Sequence, residues 1–258
     1  MTSSFAWEGD EHASLLTLSD IRTLGGLRDA ASRVAAIADI LAERRDPRGV
    51  FPLIYRIGLE AVAAAVEDGR FRDPDWVQTF DVAFAGRYLD NLHRHLCQAR
   101  TTPPWAAANR HVDTDPAAIA GAVAAALNAH LISDLPEALH ASSVRARHVF
   151  DYQTLSRLIW QTAPAAIAEI ERRYGTDLSP LYYAPPLTWL DTALPGGVPD
   201  SQERLFHSIT GLAFAQGLAL ANPLARPLIR AQIAAGSQTL IVAVDQLTRK
   251  LRPRSVRA

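Results

Sequence analysis

His130 and Asp134 stand four residues apart in the segment Asn128-Ala129-His130-Leu131-Ile132-Ser133-Asp134-Leu135-Pro136-Glu137-Ala138-Leu139-His140. On a helix that spacing puts an imidazole and a carboxylate on one face, within reach of a common ion or proton. The pair suits a divalent metal such as zinc, for which both groups are ordinary ligands. It also suits a metal-free acid–base dyad, or a buried structural pair in which Asp134 holds the ring proton of His130. Pro136 is expected to end the helix and let His140 return toward the same cleft. Upstream, Asp81 and His95 share a helix face to within about 40° at about 100° per residue, with Phe84 and Tyr88 on the same stripe. A buried carboxylate needs a countercharge, and an ion joining this stripe to the His130/Asp134 helix would supply one. Asn128 and Tyr88 are candidates for orienting ligands or substrate, and Asp151 for a further polar contact.

The order Asp81, His95, His130-x-x-x-Asp134, His140 resembles the ligand order of zinc-dependent phospholipase C and the single-strand-specific zinc nucleases. The resemblance covers residues 81 to 151. It implies an all-α enzyme that hydrolyses phosphoesters with clustered zinc ions. Asp81, His95, His130 and Asp134 would hold one metal, Asp134 would bridge to another, and His140 would begin a second site. That family completes the second site with a His and an acidic residue four apart. This chain offers His148 and Asp151, or Glu203 and His207. The family's N-terminal Trp ligand has no match, since Trp7 is internal.

A second resemblance is broader. Phe51…Tyr55…Glu60, Phe71-Arg72-Asp73-Pro74, Asp81-Val82-Ala83-Phe84-Ala85-Gly86-Arg87-Tyr88 and Asn128-Ala129-His130…Asp134-Leu135-Pro136 resemble an actinobacterial all-helical family of unknown function. It spans most of residues 20 to 220 and implies the Asn-x-His-x-x-x-Asp segment as its centre.

Two functions follow as expectations. The first is a metal-dependent enzyme, a hydrolase using a metal-activated water at a His/Asp site between two helices. The second is a metal-free helical enzyme or binding protein for an apolar small molecule of secondary metabolism, with His130 and Asp134 as the dyad. A purely structural pair is the third possibility, and it predicts a solid core with no cavity.

The elements that must position these residues read as helices. Apolar periodicity predicts helices over 27–44, 53–66, 73–98, 115–133, 147–174 (kinked near Pro164), 201–221 and 224–251. Asp73-Pro74 is a helix start, Asp46-Pro47-Arg48-Gly49 a turn, Thr101-Thr102-Pro103-Pro104 a break and Gly175 a C-cap. Residues 177–200, with five prolines and the Gly196-Gly197 pair, read as a long loop in which Tyr182, Tyr183 and Trp189 can form an aromatic lid. The expectation is one all-α domain over 1–258, a bundle of about seven helices. Residues 1–20 are expected to be loosely ordered and 252–258 to form a basic tail.

Composition agrees with that frame. The chain has 258 residues, 48% hydrophobic, 21% charged, net charge −1, with one cysteine, Cys97. Neutrality argues against an electrostatic nucleic-acid binder, and one cysteine excludes an internal disulfide or a cysteine metal cluster. Phosphate-loop, nucleophile-elbow and dinucleotide motifs are absent. The N-terminus lacks a signal peptide's pattern. The expectation is a cytoplasmic protein without a membrane span, acting on a small-molecule substrate, with the Ala-rich last helices available for homo-oligomerisation.

Overall fold

The computed structural model describes residues 9–114, 119–179 and 198–251. Its described residues are helical, with no strand. The helices are α1 (Gly9–Ser19), α2 (Leu27–Glu43), α3 (Val50–Glu67), α4 (Pro74–Leu96), α5 (Pro103–Thr114) and α6 (Ile119–Leu127). A π-helical segment (Asn128–Asp134) runs on into α7 (Leu135–Ala141), and α8 (Val149–Gln161), α9 (Ala163–Tyr174), α10 (Val198–Ala219) and α11 (Arg226–Leu251) follow. One continuous buried cluster draws residues from Leu15 to Phe214, as a single domain requires. By length and composition alone, 47–67, 119–141 and 226–244 are apolar enough to cross a membrane; the first two are largely buried within the bundle.

Local chemistry sets the element ends. The Asp73 carboxylate accepts the Trp76 N–H at 3.1 Å and Pro74 occupies the first turn, which starts α4. Gly175 closes α9 at φ 69°, a left-handed cap that favours glycine. The α2–α3 corner depends on Gly49, where a Cβ would lie 2.7 Å from Leu41 Cβ. There Tyr174 donates its hydroxyl to the Asp46 carbonyl at 2.7 Å and ties α9 to the corner.

Several expectations need correction. Residues 9–19, expected to be loosely ordered, form α1. Leu15 is fully buried, and His93 Nδ1 lies 3.1 Å from Ser19 Oγ, so α1 docks on α4. Pro103-Pro104 does more than break α4. Proline tolerates the first helical turn, and α5 starts there. The helix through His130 does not stop before Pro136. Leu135 N–H donates to the His130 carbonyl, five residues back. The hydrogen-bond ladder has therefore already shifted out of α register where Pro136 lacks a donor. The start expected at Asp115-Pro116, the Tyr182/Tyr183/Trp189 lid and the 252–258 tail lie outside the described residues.

Candidate active site

α3, α4 and α5 surround the π-helical segment with rings. The His130 imidazole stacks on Phe84 of α4, centroids 3.7 Å apart and planes 12° from parallel. Tyr55 and Phe51 of α3 meet it edge-on at 4.5 and 5.0 Å. Trp105 of α5 completes the ring set at 6.4 Å. Trp105 Nε1 donates to Asp134 Oδ2 at 2.7 Å, a buried hydrogen bond. The same oxygen is 3.5 Å from His130 Nδ1, an ion-pair distance without hydrogen-bond alignment. Asp134 therefore stands behind His130 with its orientation fixed by the indole.

In front of His130 lies a cavity of about 150 Å³ lined mostly by apolar side chains, among them Leu59, Phe80, Leu131, Leu155 and Ile159. Asp81, Tyr55 and His130 are its polar members at this end. Asp81 Oδ2, Tyr55 Oη and His130 Nε2 are buried without a hydrogen-bond partner, while His130 Nδ1 faces Asp134. Each such atom costs on the order of 1–3 kcal/mol. Three together amount to a large share of a domain's stability, and their residues line one cavity.

Burial sets the protonation states. With no counter-charge nearby, burial pushes the Asp81 carboxyl up to about 8. Burial lowers the His130 pKa against an opposing pull from Asp134. Tyr55 is driven well above the ordinary phenol value by burial, then by the carboxyls of Asp81 and Asp134. Near neutrality the cavity therefore presents a neutral imidazole as base, and a protonated carboxyl and a phenol as donors.

The other expected site residues fall elsewhere. Asp81 and His95 sit in one unbroken helix. At 1.5 Å rise per residue they are about 21 Å apart along its axis, too far to share an ion despite sharing a face. His95 Nε2 is instead 3.1 Å from Arg48 Nη1. The helix continues through Pro136, which carries His140 on the order of 10–15 Å along the axis from His130 rather than back to it. Among the described residues, no three His, Cys, Asp or Glu side chains gather within reach of one ion. Tyr88 supports the site indirectly, packing on Phe51 at 5.0 Å and Trp105 at 5.5 Å. Asn128 donates to Ser237 O and Oγ at 3.2 and 3.1 Å, binding α11 to the π-helical segment. Asp151 accepts the backbone N–H groups of Arg72 and Asp73 at 2.8 and 2.9 Å and anchors the entry to α4. His148 stacks on Trp76 at 4.3 Å, away from the cavity.

Trp105 was not legible as a site residue, because its sequence context reads as a break rather than a helix start. Phe84 carries a signal in its spacing along α4, and Tyr55 belongs to the motif of the broader family resemblance. No curated protein and no solved structure matches the chain. A family pattern does match residues 27–193, a stretch that holds Asp81, Trp105, His130 and Asp134. The chain belongs to that family, DUF5995, a family of unknown function.

Proposed function

We propose that the cavity takes up a small apolar molecule carrying one polar atom, and that His130 exchanges a proton with it while Asp81 and Tyr55 hold the polar atom. The observation that carries this reading is the gathering of three orphaned polar atoms, on Asp81, Tyr55 and His130, at one apolar cavity. A cavity near 150 Å³ accommodates a benzene-sized ligand. It also adjoins a second apolar cavity of about 270 Å³ through Leu127, Leu131, Trp160 and Phe206, so somewhat longer molecules fit.

The chemistry follows from the protonation states. His130 accepts a proton from carbon or oxygen of the ligand, and Asp134, held by Trp105, stabilises the imidazolium that forms. Protonated Asp81 and the Tyr55 hydroxyl donate to a carbonyl oxygen as it gains negative charge. Proton transfer next to a carbonyl is the reaction class this pairing supports.

The test uses small ketones such as cyclohexenone and acetophenone with the full chain in D₂O, following deuterium incorporation by NMR. Enzyme-dependent exchange that falls at least about 100-fold in His130→Gln is the expected result. Exchange equal in both proteins, with no ketone-induced thermal stabilisation, overturns the reading. The metal-dependent hydrolase expected from the sequence is the second reading, because His130 and Asp81 both offer unused donor atoms. Metal analysis of protein prepared without chelators separates the two, since about one tightly held equivalent would favour the hydrolase.

A further inference from the structure

A second chain of polar groups lies where α10 crosses α8. Glu203, His207 and Thr210 project from one face of α10 at i, i+4 and i+7. Ser156 of α8 meets them, its Oγ 2.7 Å from His207 Nδ1 and 2.9 Å from Thr210 Oγ1. His207 Nε2 lies 3.4 Å from Glu203 Oε1. The glutamate favours the tautomer with the proton on Nε2, which leaves Nδ1 as an acceptor aimed at the Ser156 hydroxyl. Thr210 has its own helix carbonyls to donate to, Phe206 at 3.1 Å and His207 at 3.3 Å. The Ser156 proton is thus directed to the imidazole. A hydroxyl, a base and a carboxylate that orients the base are the parts of an activated nucleophile.

The surroundings suit a substrate. Ser156 borders the apolar cavity on one side and, on the other, a cavity of about 470 Å³ lined by Val149, Tyr152, Arg157, Gly211 and Phe214 among others. Gly211 leaves that outer cavity open, because a Cβ there meets nothing within 4 Å.

We propose that Ser156 is a nucleophile for cleaving small carboxylic esters, with His207 as its base and Glu203 as a positioning residue. Ser156 Oγ adds to the carbonyl carbon as its proton passes to His207 Nδ1. The carbon–alkoxy bond breaks, and the leaving alkoxide takes that proton, producing an acyl-serine and an alcohol. Water then adds to the acyl carbon and gives a proton to Nδ1. The carbon–Oγ bond breaks, Ser156 regains its proton, and the carboxylic acid is released. This chemistry is independent of that assigned to His130.

The test treats the folded full chain with a fluorophosphonate probe and with p-nitrophenyl butyrate. The expected result is a single phosphonyl adduct on the peptide holding Ser156. Adduct formation and ester turnover should be absent in Ser156→Ala and at least about 100-fold slower in His207→Ala. Glu203→Gln should shift the pH profile of labelling as well as its rate, because the amide no longer fixes the imidazole tautomer. Gly211→Phe leaves Ser156, His207 and Glu203 in place but fills the outer cavity they line, so it should abolish labelling with an unchanged circular dichroism spectrum. His130→Gln should label normally, which separates this proposal from the proton-transfer reading. An unlabelled parent, labelling elsewhere, or equal rates in the parent and His207→Ala overturns it.

Discussion

Replacing Asp81 by Asn removes a carboxyl that folding must take into an apolar cavity without a counter-charge. Its folded pKa of about 8 lies above the ordinary 3.8, so between those values the folded state holds a proton that the unfolded state has released. Stability is then fully present below about pH 4 and falls as pH rises, levelling off above pH 8. At 1.36 kcal/mol per unit, the penalty is on the order of 4 kcal/mol at pH 7 and about 6 above pH 8. The asparagine amide resembles the protonated acid and escapes the penalty. Asp81→Asn should match the parent near pH 4 and exceed it progressively to pH 8, with a urea midpoint higher by on the order of 1 M at neutrality. Urea titrations of both proteins at pH 4, 5.5, 7 and 8.5 measure the gap. A gap that stays constant or narrows as pH rises would refute the reasoning, because it would mean that Asp81 is ionised and compensated in the fold. The same substitution should slow ketone exchange, as a site retained at the expense of stability predicts.

Further outcomes follow from contacts around the site. Trp105→Phe leaves Asp134 Oδ2 without its indole donor and should cost about 1–3 kcal/mol in chemical denaturation. Asp151→Asn weakens two bonds to backbone N–H groups that lead into α4. It should destabilise by about 1.5–3 kcal/mol while His130-dependent exchange, measured well below the melting temperature, is retained. Gly49→Ala places a Cβ against Leu41 and Tyr174 and should lower stability by about 1–3 kcal/mol, with a matching fall in Tm.

His130 and Asp134 were legible because polar residues are conspicuous in an Ala-rich helical sequence, and four-residue spacing survives even in the π-helical segment. Asp81 was legible for the same reason, and its burial without a partner follows from its place on an apolar stripe. The ligand set that joined it to His95 failed because face periodicity records angle and ignores rise along the axis. His140 lies further along the helix than a stop at Pro136 implies, because a shift to five-residue hydrogen bonding carries the helix past the proline. Trp105 and the Ser156–His207 contact depend on which helices cross, and no local pattern in one segment encodes a neighbour 29 or 51 residues away. The all-α class needed only local periodicity and was legible throughout.

The central claim is that a neutral His130 faces a small apolar ligand. Ring ¹⁵N chemical shifts of His130, followed from pH 4 to 8 with and without cyclohexenone, test it most directly. The account predicts a neutral imidazole at pH 7 that titrates below the ordinary histidine value of 6.5, with ring shifts that move when the ketone binds. An imidazole that titrates at or above 6.5 and ignores the ketone would contradict it.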